Sequence, residues 1–99
     1  LVNDQTMSQA EYTTMVLQAN PRTMVIGSQT NGADGNVSFF QLPGEVNTSF
    51  SGMAVYYPDG GQTQRIGVRI DEIVEPTIEG IKAGRDEVLE RAVEIINGK

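Results

Sequence analysis

A chain of 99 residues has room for one small domain that buries about two-thirds of the surface its unfolded form exposes, which excludes a multidomain enzyme within these residues. Seven basic against thirteen acidic residues leave a net charge of −6, so nothing offers a positive footprint to a nucleic-acid backbone. Cysteine and histidine are both absent, which removes disulfides, thiolate nucleophiles, thiolate or imidazole metal sites and an internal Ser-His pair; neither cofactor nor metal is expected.

Leu1-Val2-Asn3 reads as the tail of a buried strand, and the start at Leu1-Val2-Asn3-Asp4 has neither an initiator methionine nor a leader pattern, so the chain is expected to be part of a longer protein. No apolar run approaches the ~20 residues that span a bilayer. From Ser8 to Ala19 the apolar residues Tyr12, Met15, Val16 and Ala19 fall at i, i+3, i+4 and i+7, and Asn20-Pro21 supplies a stop, which predicts one amphipathic helix. Thr23–Gly27 reads as a short strand, and Asn31 to Asn36 as a loop too rich in turn formers for regular structure.

Val37 to Leu42 and Ser51 to Tyr57 read as strands of one antiparallel sheet, with Pro43-Gly44 breaking the first and Pro58-Asp59-Gly60 turning the chain after the second. Arg65 to Ile70 alternates basic and apolar side chains, apart from Gly67, as a strand with one wet face would. Val74 to Thr77 is expected to be extended. Asp86 can cap a closing helix whose stripe is Val88, Leu89, Ala92, Val93 and Ile96, with Gly98 at its stop.

Ser8-Gln9-Ala10-Glu11 has two readings. A serine at a helix start can have its oxyanion stabilised by backbone N–H groups and the positive end of the dipole, yet Ser-x-x-Glu is also a capping box. The Thr30–Asn36 loop fits neither a calcium-binding register nor a phosphate-binding loop, since Gly32 and Gln41 stand where acidic ligands are required and no Gly-Lys-Ser/Thr follows. Asp71, Glu72 and Glu75 read as a solvated acidic edge.

The order of these segments resembles the C-terminal half of the catalytic domain of the S41 serine peptidases, the tail-specific or C-terminal processing proteases. The likeness rests on Leu1-Val2-Asn3 leading to the Ser8-to-Glu11 helix, on Val25-Ile26-Gly27-Ser28-Gln29-Thr30-Asn31-Gly32 as a Val-x-Gly-x-x-Thr-x-Gly segment, on Pro58-Asp59-Gly60, and on Gly67-Val68-Arg69-Ile70-Asp71 with Ile70 in place of a proline. Gly80 to Asp86 and Leu89-Glu90-Arg91-Ala92 resemble the family's closing helix.

The resemblance implies an α/β fold, a truncated crotonase/ClpP-like ββα spiral domain with a mixed sheet, an N-terminal helix and a C-terminal helix, filling residues 1–99. It implies Ser8 as nucleophile, the Gln9 N–H as one oxyanion donor, and Asp34, Thr30 and Gly32 as residues that orient the loop. The substrate would be a polypeptide, and the parent would be exported, periplasmic or in the cell envelope. Where the Ser-Lys branch carries its base, this chain has Ala33; Lys82 and Lys99 lie outside the matching segment. A histidine from a preceding part of the domain, as in tricorn-like relatives, would restore a base, and without the missing half the chain is expected to be inactive and to self-associate. The alternatives are a peptide-binding pseudo-peptidase and a structural fragment in which Ser8 only caps its helix.

Overall fold

A computed structural model describes residues 1–98, so Lys99 lies outside the described residues. In chain order the elements are α1 (Gln9–Gln18), β1 (Ile26–Gly27), β2 (Val37–Leu42), β3 (Val46–Ser51), β4 (Glu72–Ile73), α2 (Ile78–Lys82) and α3 (Glu87–Ile96). β1 and β4 pair in parallel, β2 and β3 pair antiparallel, and Val2 forms a parallel bridge to Gly27 on the other side of β1. The fold is mixed α/β, with small parallel and antiparallel sheets flanked by helices.

The core is small: Val2, Met15, Val25, Tyr57 and Val68 form one buried cluster, with Val55 and Ile70 packed against it. Around it the backbone is held largely by side chains. Asp71 Oδ2 takes the Val25 N–H at 2.7 Å, and the Tyr57 hydroxyl donates to Gln18 Oε1 at 2.9 Å while accepting the Arg69 N–H at 3.0 Å. Arg91 on α3 reaches Glu72 of β4 at 3.0 Å, a half-exposed pair of small value to stability.

The sequence pattern misplaces two strands. The strand expected at Ser51–Tyr57 gives way to β3, because Pro43, Gly44 and Glu45 make a tight loop that returns the chain at once, with Gly44 and Glu45 at positive φ and Leu42 opposite Val46. Beyond Gly52 the Met53 carbonyl oxygen is taken by the Gln64 side chain, and pairing with the returning chain shrinks to one antiparallel bridge, Tyr56 to Gln62, beside which the Val55 carbonyl oxygen accepts from both the hydroxyl and the N–H of Thr63. The strand expected at Arg65–Ile70 is likewise absent. Gly67 has φ 90, the Val68 N–H goes to the Thr30 hydroxyl at 2.9 Å, and the Arg69 N–H goes to Tyr57, so the groups that would build a ladder are already used. The short helix α2 has no counterpart in the expected elements; the Thr77 hydroxyl caps it by accepting the Gly80 N–H at 2.9 Å.

The helix expected over Ser8–Ala19 is there as α1, but it turns a different face inward. Met15 is buried as expected, whereas Tyr12 and Val16 are about half exposed and the most buried side chain on the helix is Glu11, at 0% exposure. Its carboxylate accepts four hydrogen bonds: the Thr30 hydroxyl at 2.6 Å and the Gly32 N–H at 2.8 Å on Oε1, the Ala33 N–H at 2.9 Å and the Ser8 N–H at 3.2 Å on Oε2. One acidic group thereby ties the start of α1 to the Thr30–Ala33 turn, and the Thr30 hydroxyl passes the tie on to Val68.

Much apolar surface stays uncovered. The accessible area is 7178 Å², against about 5,500 Å² for a compact monomer of this mass, and the radius of gyration is 17.1 Å against about 12.6 Å. The β2–β3 hairpin stands away from the core with Phe39 at 82% exposure, and the α3 stripe buries only Ala92 while Leu89, Val93 and Ile96 face outward.

Removing the Glu11 carboxylate leaves four donors without their acceptor, of which those of Thr30 and Gly32 are buried and cost about 1–3 kcal/mol each. Glu11→Ala is expected to lower unfolding stability by about 3 kcal/mol or more in urea melts, with the exposed Glu75→Ala within about 0.5 kcal/mol of the parent chain.

Candidate active site

Ser8 sits where the chain turns from the Leu1–Asn3 segment into α1, with φ 52 and ψ −121. This is a left-handed backbone that glycine adopts freely and serine adopts at a cost of about 1–3 kcal/mol. The surroundings hold it there: the Ser8 N–H is bound by Glu11, and the Ser8 carbonyl oxygen accepts from the N–H groups of Glu11 at 2.9 Å and Tyr12 at 3.1 Å. Ser8 and Glu11 stand in the reciprocal places of a capping box, with the Glu11 N–H directed to the Ser8 carbonyl oxygen at 2.9 Å and lying toward the Ser8 side chain as well, so a cap is the resting role of a hydroxyl that also borders the cleft. A serine on a strained turn that opens a helix is the arrangement that presents a nucleophile with dipole and N–H support.

Ser8, Gln9 and Asp34 line one cleft of about 530 Å³, together with Tyr12, Met53 and Tyr56. Thr30 and Gly32 do not reach it. They lie behind the turn, bound to the Glu11 carboxylate, where Gly32 has φ 73 and a Cβ would come to 3.0 Å from the Ile66 backbone nitrogen. Ala33, where the sequence resemblance leads one to look for a lysine base, is exposed and gives its N–H to Glu11. A larger cleft of about 580 Å³ across Tyr12 and Tyr56 is lined by Met15, Val16 and Pro58 and carries no residue of nucleophilic type in a strained setting.

Asp34 is 4% exposed. Its Oδ1 accepts the Gly35 N–H at 2.7 Å and its carbonyl oxygen accepts from Gln64 Nε2 at 2.8 Å, but Oδ2 has no hydrogen-bond partner among the described residues. Burial pushes this carboxyl above the ordinary 3.8, the Gly35 N–H opposes the rise, and the nearby Glu11 adds to it. The acidic residues at the start of β4 behave differently: Asp71 accepts the Val25 N–H and Glu72 pairs with Arg91, and no cluster of metal-ligating type occurs among the described residues.

Two contributors escape the sequence reading. Glu11 closes the expected capping box on the Ser8 N–H, but its bonds to Thr30, Gly32 and Ala33 were not foreseen, although the Thr-x-Gly of the loop, with a hydroxyl and an N–H in need of one acceptor, was the available signal. Met53 and Tyr56 are brought to the cleft by irregular backbone, for which no periodic pattern exists.

The profile of Peptidase family S41 matches residues 1–74, and the chain belongs to that family. Among solved structures it is similar to a putative peptidase from Parabacteroides merdae, at 28% identity and a TM-score of 0.85 over 94% of this chain. It is also similar to mature CPAF, at 28% identity over 98% of this chain, with TM-scores of 0.80 for CPAF itself and 0.77 for its complex with lactacystin. This chain spans 29% of the length of the first and 20% of the second. No curated protein matches it.

The Asp34 shift has a testable sign. A folded value above the unfolded one means that the folded state binds more protons, so this group's contribution is most favourable below pH 3.8 and is lost as pH rises through the raised value. Asp34→Asn keeps an acceptor for the Gly35 N–H and removes the buried charge. It is expected to melt above the parent chain at pH 7 and level with it at pH 3; a lower melting temperature at pH 7 contradicts the assignment.

Proposed function

We propose that these residues form the C-terminal part of the catalytic domain of an exported serine endopeptidase that cuts polypeptides through Ser8. The observation that carries the reading is the strained Ser8 backbone at the start of α1, fixed by Glu11 and opening onto the cleft. In the reaction the Ser8 Oγ attacks the peptide carbonyl as its proton passes to a base. The oxyanion is met by the Gln9 N–H, which donates to no described residue, and by a donor from outside residues 1–99. Collapse expels the amine with that proton and leaves an acyl-serine, which water then cleaves.

The base comes from outside these residues. The chain has no histidine, Ala33 carries no titratable group, and Lys82 lies on α2, far in sequence from the cleft-lining segments. Asp34 is a weak base toward an alcohol and holds the loop by its bond to Gly35. Turnover by a longer protein carrying these residues then rises through about pH 6–7, as a histidine deprotonates. The lack of a base at the cleft favours one second reading, a pseudo-peptidase that holds extended chains without cutting them.

A fluorophosphonate probe separates the two. A longer protein carrying residues 1–99 is expected to be labelled at Ser8 and to lose both labelling and turnover by about 10⁴-fold or more in Ser8→Ala; an unlabelled Ser8 with peptide binding intact sets the catalytic reading aside. The 99-residue chain alone is expected to neither react nor cut.

The uncovered hairpin and helix stripe support self-association of this chain. Light scattering is expected to show its mass rising with concentration, and a constant monomer mass at high concentration excludes this.

A further inference from the structure

The cleft beside Ser8 has two banks that are held by different means. Ser8, Gln9 and the loop over 34–36 form one, and Glu11 secures it through the N–H groups of Ser8, Gly32 and Ala33. Met53, Ala54, Val55 and Tyr56 form the other, and none of the four Glu11 bonds reaches them. Their irregular backbone leans instead on residues 63–65. The Val55 carbonyl oxygen accepts the Thr63 hydroxyl at 3.2 Å, and the Met53 carbonyl oxygen accepts from Gln64 Nε2 at 2.7 Å.

Gln64 also reaches the first bank, since the same nitrogen donates to the Asp34 carbonyl oxygen at 2.8 Å. A primary amide carries two N–H donors on one nitrogen, and here each bank takes one. Arg65 reinforces the link through its N–H to the Gly32 carbonyl oxygen at 2.7 Å, and the Gly52 N–H crosses to the Asn36 carbonyl oxygen at 3.0 Å at the root of the hairpin. The approach is close: Gly35 has φ 105, and a Cβ there would run into the Met53 carbonyl oxygen and Gln64 Nε2. Gln64 is half-buried and does not line the cleft, so it acts on the cleft through the main chain.

We propose that Gln64 is a positioning residue that sets the spacing between the two banks and thereby the fit of an extended polypeptide lying between them. This rests on the peptidase reading for what enters the cleft, while the clamp itself does not. Glutamine suits the place because two carbonyl oxygens face one group: an isosteric glutamate offers them only lone pairs, whereas a lysine offers donors again. A wall that shifts by about 1 Å costs an oriented substrate up to about 10²-fold.

The test takes a longer protein carrying residues 1–99 and reads two quantities: the Kd of a fluorescent, unstructured casein fragment in the Ser8→Ala background, and the rate at which a small fluorophosphonate labels Ser8. Gln64→Glu is expected to weaken binding about ten-fold or more and to slow labelling by less than about three-fold, because Glu11 holds Ser8 independently. Gln64→Lys is expected to bring binding back to within about three-fold. Binding unchanged in Gln64→Glu, or not rescued in Gln64→Lys, overturns the proposal, and so does a parallel collapse of binding and labelling, which makes Gln64 a support of the fold alone. Should Gln64→Glu fail to fold, the unaltered 99-residue chain decides: the Gln64 side-chain N–H groups are expected to exchange with water about ten-fold slower than those of the exposed Gln5, and equal rates overturn the clamp. Labelling absent throughout with the expected binding pattern sinks acyl transfer and keeps the clamp, whereas labelling with binding indifferent to Gln64 sinks the clamp alone.

Discussion

The arrangement depends on a single buried carboxylate. Glu11 lies on the first turn of α1, where the helix dipole favours a negative group, and its two oxygens gather donors from three places in the chain. Each bond fixes something different. The Ser8 N–H bond sets the strained turn at the helix start, the Gly32 and Ala33 bonds close the loop, and the Thr30 hydroxyl relays the hold to Val68 in the core. The backbone on both sides of the cleft thus answers to one side chain.

That dependence explains which parts of the structure could be read from the residues. Elements set by local chemistry were legible: the Asp86 cap accepts the Leu89 N–H at 3.0 Å, Val2 pairs beside β1, and the Asn31–Asn36 segment is a loop. Val37–Leu42 forms a strand within its expected bounds. The misreadings cluster where side chains replace strand partners. Around Met53, Val55, Val68 and Arg69 the backbone groups are satisfied by Gln64, Thr63, Thr30 and Tyr57, and alternation of apolar residues carries no trace of such bonds. The face of α1 was misjudged for the same reason, since hydrophobic spacing assumes that what is buried is apolar, and Glu11 is buried because it is bonded.

At the site the pattern of residue types did better than the periodicity. The Ser-x-x-Glu segment and the Thr-x-Gly loop meet in space although 19 residues separate Glu11 from Thr30, so two short signals that are weak singly describe one constellation. Ser8, Gln9 and Asp34 share a cleft, while Thr30 and Gly32 act on it only through Glu11. The strain at Ser8 and the unsatisfied Oδ2 of Asp34 each lower stability where they stand.

The two costs differ in kind. Ser8 is strained in its backbone, and Glu11 compensates that strain inside the fold whether or not anything is bound. Asp34 has no such compensation, since its remaining oxygen lies beyond the reach of every described donor and of water. An internal correction was available at small cost: Gln64, already bonded to the Asp34 carbonyl oxygen, carries its amide within the same loop cluster, yet it spends both contacts on main-chain oxygens of Asp34 and Met53. The fold thus fixes the position of the Asp34 backbone firmly while leaving the acid group unanswered.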